Sequence, residues 1–146
     1  MTIEISNESN TSCNEKELIS LATYAISKMR LDDQSDLGIR LVTSSVMASL
    51  NKQWMGEEGA TDVLSFPIDE MRPGQSDPGV IGDIVLCPSY ASGNALKNGK
   101  SLDEELQLLT AHGILHLLGF DHRNTPDEKA MFALQEEILR EWRSLP

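Results

Sequence analysis

At 146 residues, 40% hydrophobic and 24% charged, the chain has the length and make-up of one soluble folded unit with a sizeable core, so a single domain over 1–146 is expected. Twelve Lys and Arg against 23 Asp and Glu leave a formal net charge of -11, which counts against indiscriminate binding to nucleic acid but not against a local basic groove. No apolar run could span a bilayer, and MTIEISNESN lacks the basic start and apolar middle of a secretory leader, so no membrane association and a cytoplasmic location are expected.

The segment TIEIS (residues 2–6) alternates like a short strand. Leu18, Leu21, Ala25 and Met29 then fall at helical spacing and predict a helix over 15–29 with one face toward a core. LGIRLVT (37–43) alternates again, and 44–54 reads as a short helix ending near Trp54. TDVLSFPID (61–69) predicts a strand closed by Pro67, and VIGDIVLC (80–87) a strand stopped by Pro88, the two forming a hairpin. Between them MRPGQSDPG must be a turn or mobile loop, with its two prolines and two glycines. Residues 89–98 read as a small helix ending at Asn98-Gly99.

Two later helix starts are better marked. Ser101-Leu102-Asp103-Glu104 fits a capping box, a Ser cap with Glu three residues on, and opens a helix over 102–118 whose end is apolar nearly all round and therefore buried. Thr125-Pro126-Asp127-Glu128 repeats that logic, with proline in the first turn where its missing N–H costs nothing. It opens a terminal helix with Met131, Leu134, Ile138 and Trp142 along one face. The sum is an α+β fold, a small mixed β-sheet packed against helices. Cys13 and Cys87, far apart and without a C-x-x-C pair, read as reduced thiols.

All three histidines lie in one window, HGILHLLGFDH, from His112 to His122. His112 and His116 are four residues apart on a predicted helix, so their rings share one face and can converge on an ion. Gly119 sits where the helix needs a left-handed terminal residue, and His122 can supply a third nitrogen from beyond the turn. The spacing is that of the metzincin zinc signature, which gives the helix a zincin-like character. Three neutral imidazoles leave a fourth tetrahedral position open, the mark of a catalytic zinc rather than a structural one. One zinc ion per chain is expected, ahead of nickel, copper or iron, which imidazole also suits.

The position where a zinc peptidase keeps its general-base glutamate is Gly113. Glycine cannot accept a proton, so peptidase activity is not expected. Glu105 shares the helical stripe of His112 but lies roughly 10 Å earlier along the axis, too far to substitute directly. Hydrolysis of some other bond stays open, because a bound metal still lowers the pKa of water. Asp121 could orient a ligand ring or cap the turn; Asp62 and Asp83 sit at strand edges and could face the same cleft, although hydrogen bonding to loop amides is an ordinary role for both. These three acids are the candidates for proton transfer.

The window His112 to His122 resembles the hallmark H-G-x-L-H-L-x-G-[YF]-D-H of the YbeY family, bacterial endoribonucleases and ribosomal RNA maturation factors. Leu50-Asn51 followed by Thr61-Asp62-Val63-Leu64-Ser65-Phe66-Pro67, and then Gly82-Asp83-Ile84, are similar to two further family blocks in the same order. The resemblance implies a zinc-dependent hydrolase of single-stranded RNA, acting in small-subunit ribosomal RNA maturation and ribosome quality control. It implies His112, His116 and His122 as zinc ligands, a small sheet flanked by helices with a cleft over the metal, and the small ribosomal subunit or its assembly proteins as partners. In one place the chain departs from the family. Where the family places an Arg thought to serve catalysis or phosphate binding, this chain has Met55 after Trp54. The task passes to Arg40, Lys52, Arg72 or Arg123, or is lost.

The expected chemistry is metal-assisted phosphodiester hydrolysis, with cations holding the RNA backbone. Lys97 and Lys100 could form part of a basic rim, and Phe66, Tyr90 and Phe120 are candidate platforms for bases. A reading of another class is an assembly factor that binds ribosomal components, with a mainly structural zinc and little catalysis.

Overall fold

Alternating apolar positions in four segments become the strands of one sheet: β1 (Thr2–Asn7), β2 (Asp36–Leu41), β3 (Val63–Pro67) and β4 (Val80–Leu86), in spatial order β1-β2-β4-β3. They are seen in a computed structural model that describes residues 2–121 and 123–146. β1 and β4 run parallel to β2, and β3 pairs antiparallel to β4, with Ser65 opposite Ile84 and Phe66 opposite Asp83. The hairpin expected between 61 and 87 is this β3–β4 pair, and the mixed sheet with its helices is the α+β architecture that the sequence predicts.

Period-two alternation sends the two faces of the sheet to different neighbours. Leu37, Ile39, Leu41, Ile84 and Leu86 join the main core with α1 (Glu15–Lys28), α4 (Leu102–Leu117) and α5 (Thr125–Arg143). On the other face Val42, Leu64 and Val85 meet Met47 of α2 (Ser44–Leu50) in a smaller cluster that also buries Cys87. The helix α3 (Pro88–Lys97) begins directly after β4, with Pro88 in its first turn. No helix among the described residues is long and apolar enough to cross a membrane.

Two local expectations are refined and one, the cap of α5, is corrected. The helical segment over 44–54 ends near Trp54 as expected but changes pitch: α2 runs to Leu50 and a single wide π turn, Asn51–Met55, continues it, closed by Gly56 at φ 70°. That turn lifts Trp54 and Met55 onto the surface. Of the two readings of 71–79 the turn holds: Met71 is 0% exposed, the Gly74 N–H donates to Met29 O at 2.9 Å and the Val80 N–H donates to Asp69 Oδ2 at 2.6 Å. The cap of α5 is Asn124, whose Oδ1 accepts from the Asp127 N–H at 3.0 Å, so Thr125 is already the first helical residue. Asparagine competes well for a cap because its short side chain reaches the free amides of the first turn.

Candidate active site

The site is built on the C-terminal half of α4. Its start is fixed by the capping box read from the sequence: Ser101 Oγ accepts from the Glu104 N–H, and Glu104 Oε1 accepts from the Ser101 N–H, both at 3.1 Å. Its end is a Schellman turn. Gly119 takes φ +95°, its N–H donates to His116 O at 3.0 Å, and the Phe120 N–H donates to Leu115 O at 3.0 Å. The helix between is buried on most sides, and only His112 and His116 stay half-exposed along its last two turns.

The two imidazoles meet edge to face, ring centres 4.6 Å apart and planes at 78°. His112 Nδ1 lies 2.9 Å from Gln135 Oε1 of α5. A carbonyl oxygen only accepts, so the N–H sits on Nδ1 and Nε2 keeps the lone pair a metal needs. This is the outer contact by which proteins fix a ligating histidine's tautomer and ring plane. The donor chemistry of the pair fits a borderline metal such as zinc. His122, the third predicted ligand, lies outside the described residues. Among the described residues no group of three or more His, Cys, Asp or Glu could hold an ion.

Gly113 has a structural cause. A Cβ there would lie 3.1–3.2 Å from the Cδ1, Cγ1 and Cγ2 atoms of Ile84, so α4 rests directly on β4. A glutamate at this position would be driven into the sheet. Ser65 of β3 adds a long contact to the same seam, donating to Gly113 O at 3.5 Å.

Two adjoining clefts of about 480 Å³ each flank the histidines and share Asp62, Val63 and His112. One runs back along α4 past Glu105, Leu108 and Leu109 to Phe132 and Gln135 of α5. The other extends over β3 to Met55 and includes His116. Asp62 therefore faces the clefts beside the histidines, as the sequence allowed. Its Oδ1 accepts from Thr61 Oγ at 3.3 Å and its Oδ2 from Asn94 Nδ2 at 3.4 Å, both long contacts that leave acceptor capacity. Asp83 is on the other side of the sheet, because its neighbour Ile84 faces α4; it lines grooves with Arg40 and Phe66. Asp121 serves the turn after α4, accepting from the Arg123 N–H at 2.7 Å and pairing with its guanidinium at 2.8 Å.

Of the cations named for the task lost at Met55, Arg40 pairs with Glu8 on the far face and Lys52 with Glu58, while Arg123 is held by Asp121. Arg72 reaches the histidine helix: its guanidinium lies 2.9 Å from where a Cβ of Gly119 would sit, and it donates to Glu70 O and Met71 O at 3.1 Å. Neither Lys nor Arg occurs among the described residues that line the two clefts. Lys100 stands near one mouth, its charge felt at Glu105. Lys97 ends α3 and is exposed. Of the aromatic platforms, Phe66 packs edge-on against Trp54 on the far face, Tyr90 is exposed on α3 and Phe120 rests on the main core.

Sequence reasoning missed three cleft residues. Phe132 lies with its ring centre 6.3 Å from that of His112. Gln135 was passed over although 131, 135, 138 and 142 form a helical stripe, which makes a polar residue at 135 a buried one. Glu105, two helical turns before His112, lines the cleft and is buried, which its spacing alone does not announce. Burial pushes its carboxyl above the usual range, Lys100 opposes that and Asp62 adds to it.

The chain is similar to known proteins over nearly its whole length. The family profile described as Endoribonuclease YbeY matches residues 4–143. A protein of Acidothermus cellulolyticus with that name is 49% identical over 152 residues, covering 99% of this chain and 93% of its own. One of Mycolicibacterium vanbaalenii, likewise named, is 49% identical over 148 residues, covering 97% of this chain and 80% of its own. The solution structure of TM1509 from Thermotoga maritima aligns with a TM-score of 0.60 at 28% identity, covering 99% of this chain and 93% of that one. The histidine helix with its glycine seam, the mixed sheet that carries it and a match over nearly every residue lead to one conclusion: the chain belongs to the endoribonuclease YbeY family.

Proposed function

We propose that this chain, folded as one domain over 1–146, is a zinc-dependent endoribonuclease specific for single strands, acting in the cytoplasm on small-subunit ribosomal RNA during its maturation and in ribosome quality control. Endonucleolytic cleavage of RNA is what the names of its relatives carry. The observation that supports the metal reading is the His112–His116 pair with Gln135 holding one tautomer. The ribosomal setting, with the small subunit or its assembly proteins as partners, rests on the family resemblance.

His112, His116 and His122 are the residues that would hold zinc, which supplies the positive charge that activates water and offsets charge on a phosphoryl oxygen. Gln135 orients the His112 ring. Asp62, the described carboxylate shared by both clefts, is the best-placed acceptor for the proton of the attacking water, because Asp83 and Asp121 are turned elsewhere. Val63, Leu108 and Leu109 make an apolar wall that excludes bulk water from one side. Two of the four candidate cations touch the histidine motif, Arg72 against Gly119 and Arg123 paired with Asp121.

Metal content and turnover of single-stranded RNA, measured for wild type and His116→Ala, test this. The wild type should retain one zinc per chain and cut RNA; the variant should lose both. Metal-free protein that cuts as fast as the zinc form would end the proposal. The absence of Lys and Arg among the described cleft-lining residues favours a second reading, an assembly factor with a mainly structural zinc. Equal background cleavage by wild type and variant would select it.

A further inference from the structure

The cleft that runs back from His112 contains a carboxyl group that hydrolysis does not use. Three elements close this space: α4 contributes Glu105 and His112, α5 contributes Phe132 and Gln135, and the lead-in to β3 contributes Asp62. Glu105 is 4% exposed, and its Oε1 has no hydrogen-bond partner among the described residues. A buried acceptor without a donor is costly to maintain, and native proteins keep few of them unless a ligand or water completes the set. Seven residues separate it from His112, about 10 Å along the helix axis, which is out of reach of the reacting phosphate. Asp62, Glu105 and His112 are not a set that could hold an ion. A donor on an organic ligand entering the cleft would satisfy Glu105.

We propose that this cleft receives a guanine base of the RNA strand next to the scissile phosphate, with Glu105 accepting from its ring N–H and exocyclic amino group and Phe132 against its face. The proposal rests on the reading of the chain as an RNA hydrolase. The volume, about 480 Å³, falls in the range of pockets that take small molecules, about 300–1,000 Å³. Single-stranded bases are read this way: flat against an aromatic, with hydrogen bonds to the pairing edge. A nucleotide also spans a length comparable to the Glu105–His112 separation, so base and phosphate can occupy both ends at once.

The choice of base follows from the acceptors. An ionised carboxylate offers two oxygens and no proton; burial raises the Glu105 carboxyl, and Lys100 opposes that rise. Guanine presents two adjacent donors on one edge. Uracil presents a single N–H between two carbonyls, which would face the carboxylates of Glu105 and Asp62 unfavourably. Adenine and cytosine each set an acceptor beside their amino group and match one oxygen only.

Nuclear magnetic resonance titrations of the zinc-loaded protein with guanosine, adenosine, cytidine and uridine monophosphates test the site without requiring cleavage. GMP should move the amide signals of Glu105, Leu108 and Phe132 and bind about 5- to 100-fold more tightly than UMP, and Glu105→Gln should bring the two within about threefold. Phe132→Ala should weaken all four nucleotides. A thermal melt confirms that each variant is folded. Equal affinity for the four nucleotides, or a guanine preference unchanged in Glu105→Gln, overturns the proposal. RNA turnover, measured beside it on strands that differ in one base, separates the two claims. Cleavage indifferent to that base removes the guanine site and leaves the hydrolase; selective GMP binding by a protein that cuts no RNA supports the base site and removes the hydrolase.

Discussion

Gly113→Ala tests the seam on which the histidine helix sits. In an exposed helix interior this change would stabilise by about 1 kcal/mol, because alanine loses less backbone freedom on folding. Here the new methyl would come within 3.1–3.2 Å of three side-chain atoms of Ile84, which is itself 0% exposed. Overpacking of this kind costs about 1–3 kcal/mol, so the net expectation is a loss of about 0–2 kcal/mol. Ile84→Ala removes all three contact atoms and should cost about 2–5 kcal/mol alone. The double variant should be more stable than the sum of the two by about 0.5–3 kcal/mol, since the new methyl then occupies space that Ile84 has vacated. Urea unfolding of the four proteins provides these numbers. A Gly113→Ala variant that gains the full helix-propensity benefit and adds simply with Ile84→Ala would refute the account of Gly113. The same geometry predicts that Gly113→Glu creates no peptidase, since the added carboxylate points at β4.

Gln135→Leu keeps the volume but removes the acceptor of the His112 Nδ1–H, and should weaken metal binding about 10- to 100-fold in a chelator competition; unchanged affinity would detach Gln135 from the site. The Glu105 carboxyl is raised by burial, so its protonated form favours the fold: that contribution is fully present below the unfolded value, 4.5, and is lost as pH rises through the folded one. Glu105→Gln should therefore be the more stable protein at pH 7, with the difference closing on acidification below 4.5; a variant less stable at pH 7 by a margin that ignores pH would contradict this. Asn124→Ala should cost about 1 kcal/mol and Thr125→Ala no more than about 0.5, because the cap is Asn124. Melting curves that reverse that order would restore Thr125 as the cap.

Much of this could be read from spacing alone. The capping box at Ser101 and the glycine stop at 119 are local signals, and both took the form that their residue types demand. The strands were legible to within a few residues because one face of each is buried. What failed was decided by tertiary contact. Met71 sits in a stretch of turn formers, yet its side chain fills the main core, and nothing within nine residues of sequence announces that. Asp62 and Asp83 looked equivalent as acids at strand edges. Their separation to opposite faces depends on which neighbour, Ile84, meets α4, and that is a fact of packing. Asn124 and Thr125 are both good caps on paper, and only the backbone, extended at Asn124 with φ -137° and ψ 167°, selects one.

The glycine at 113 also bears on where proton transfer can come from. In a helix that carries both ligand and base, one rigid element fixes their separation. Here the position beside His112 is turned to the sheet and filled by Ile84. A carboxylate able to reach the histidines must come from another element, and the lead-in to β3 delivers one, Asp62, to both clefts. Its backbone is tied to the sheet, with the Cys87 N–H donating to Asp62 O at 2.9 Å, while the imidazoles ride on α4. The distance between Asp62 and the imidazoles is thus set by how closely α4 lies on β3 and β4. Glycine at 113 permits the closest approach available to a helix, so its role in this site is to bring the two halves together rather than to supply a functional group.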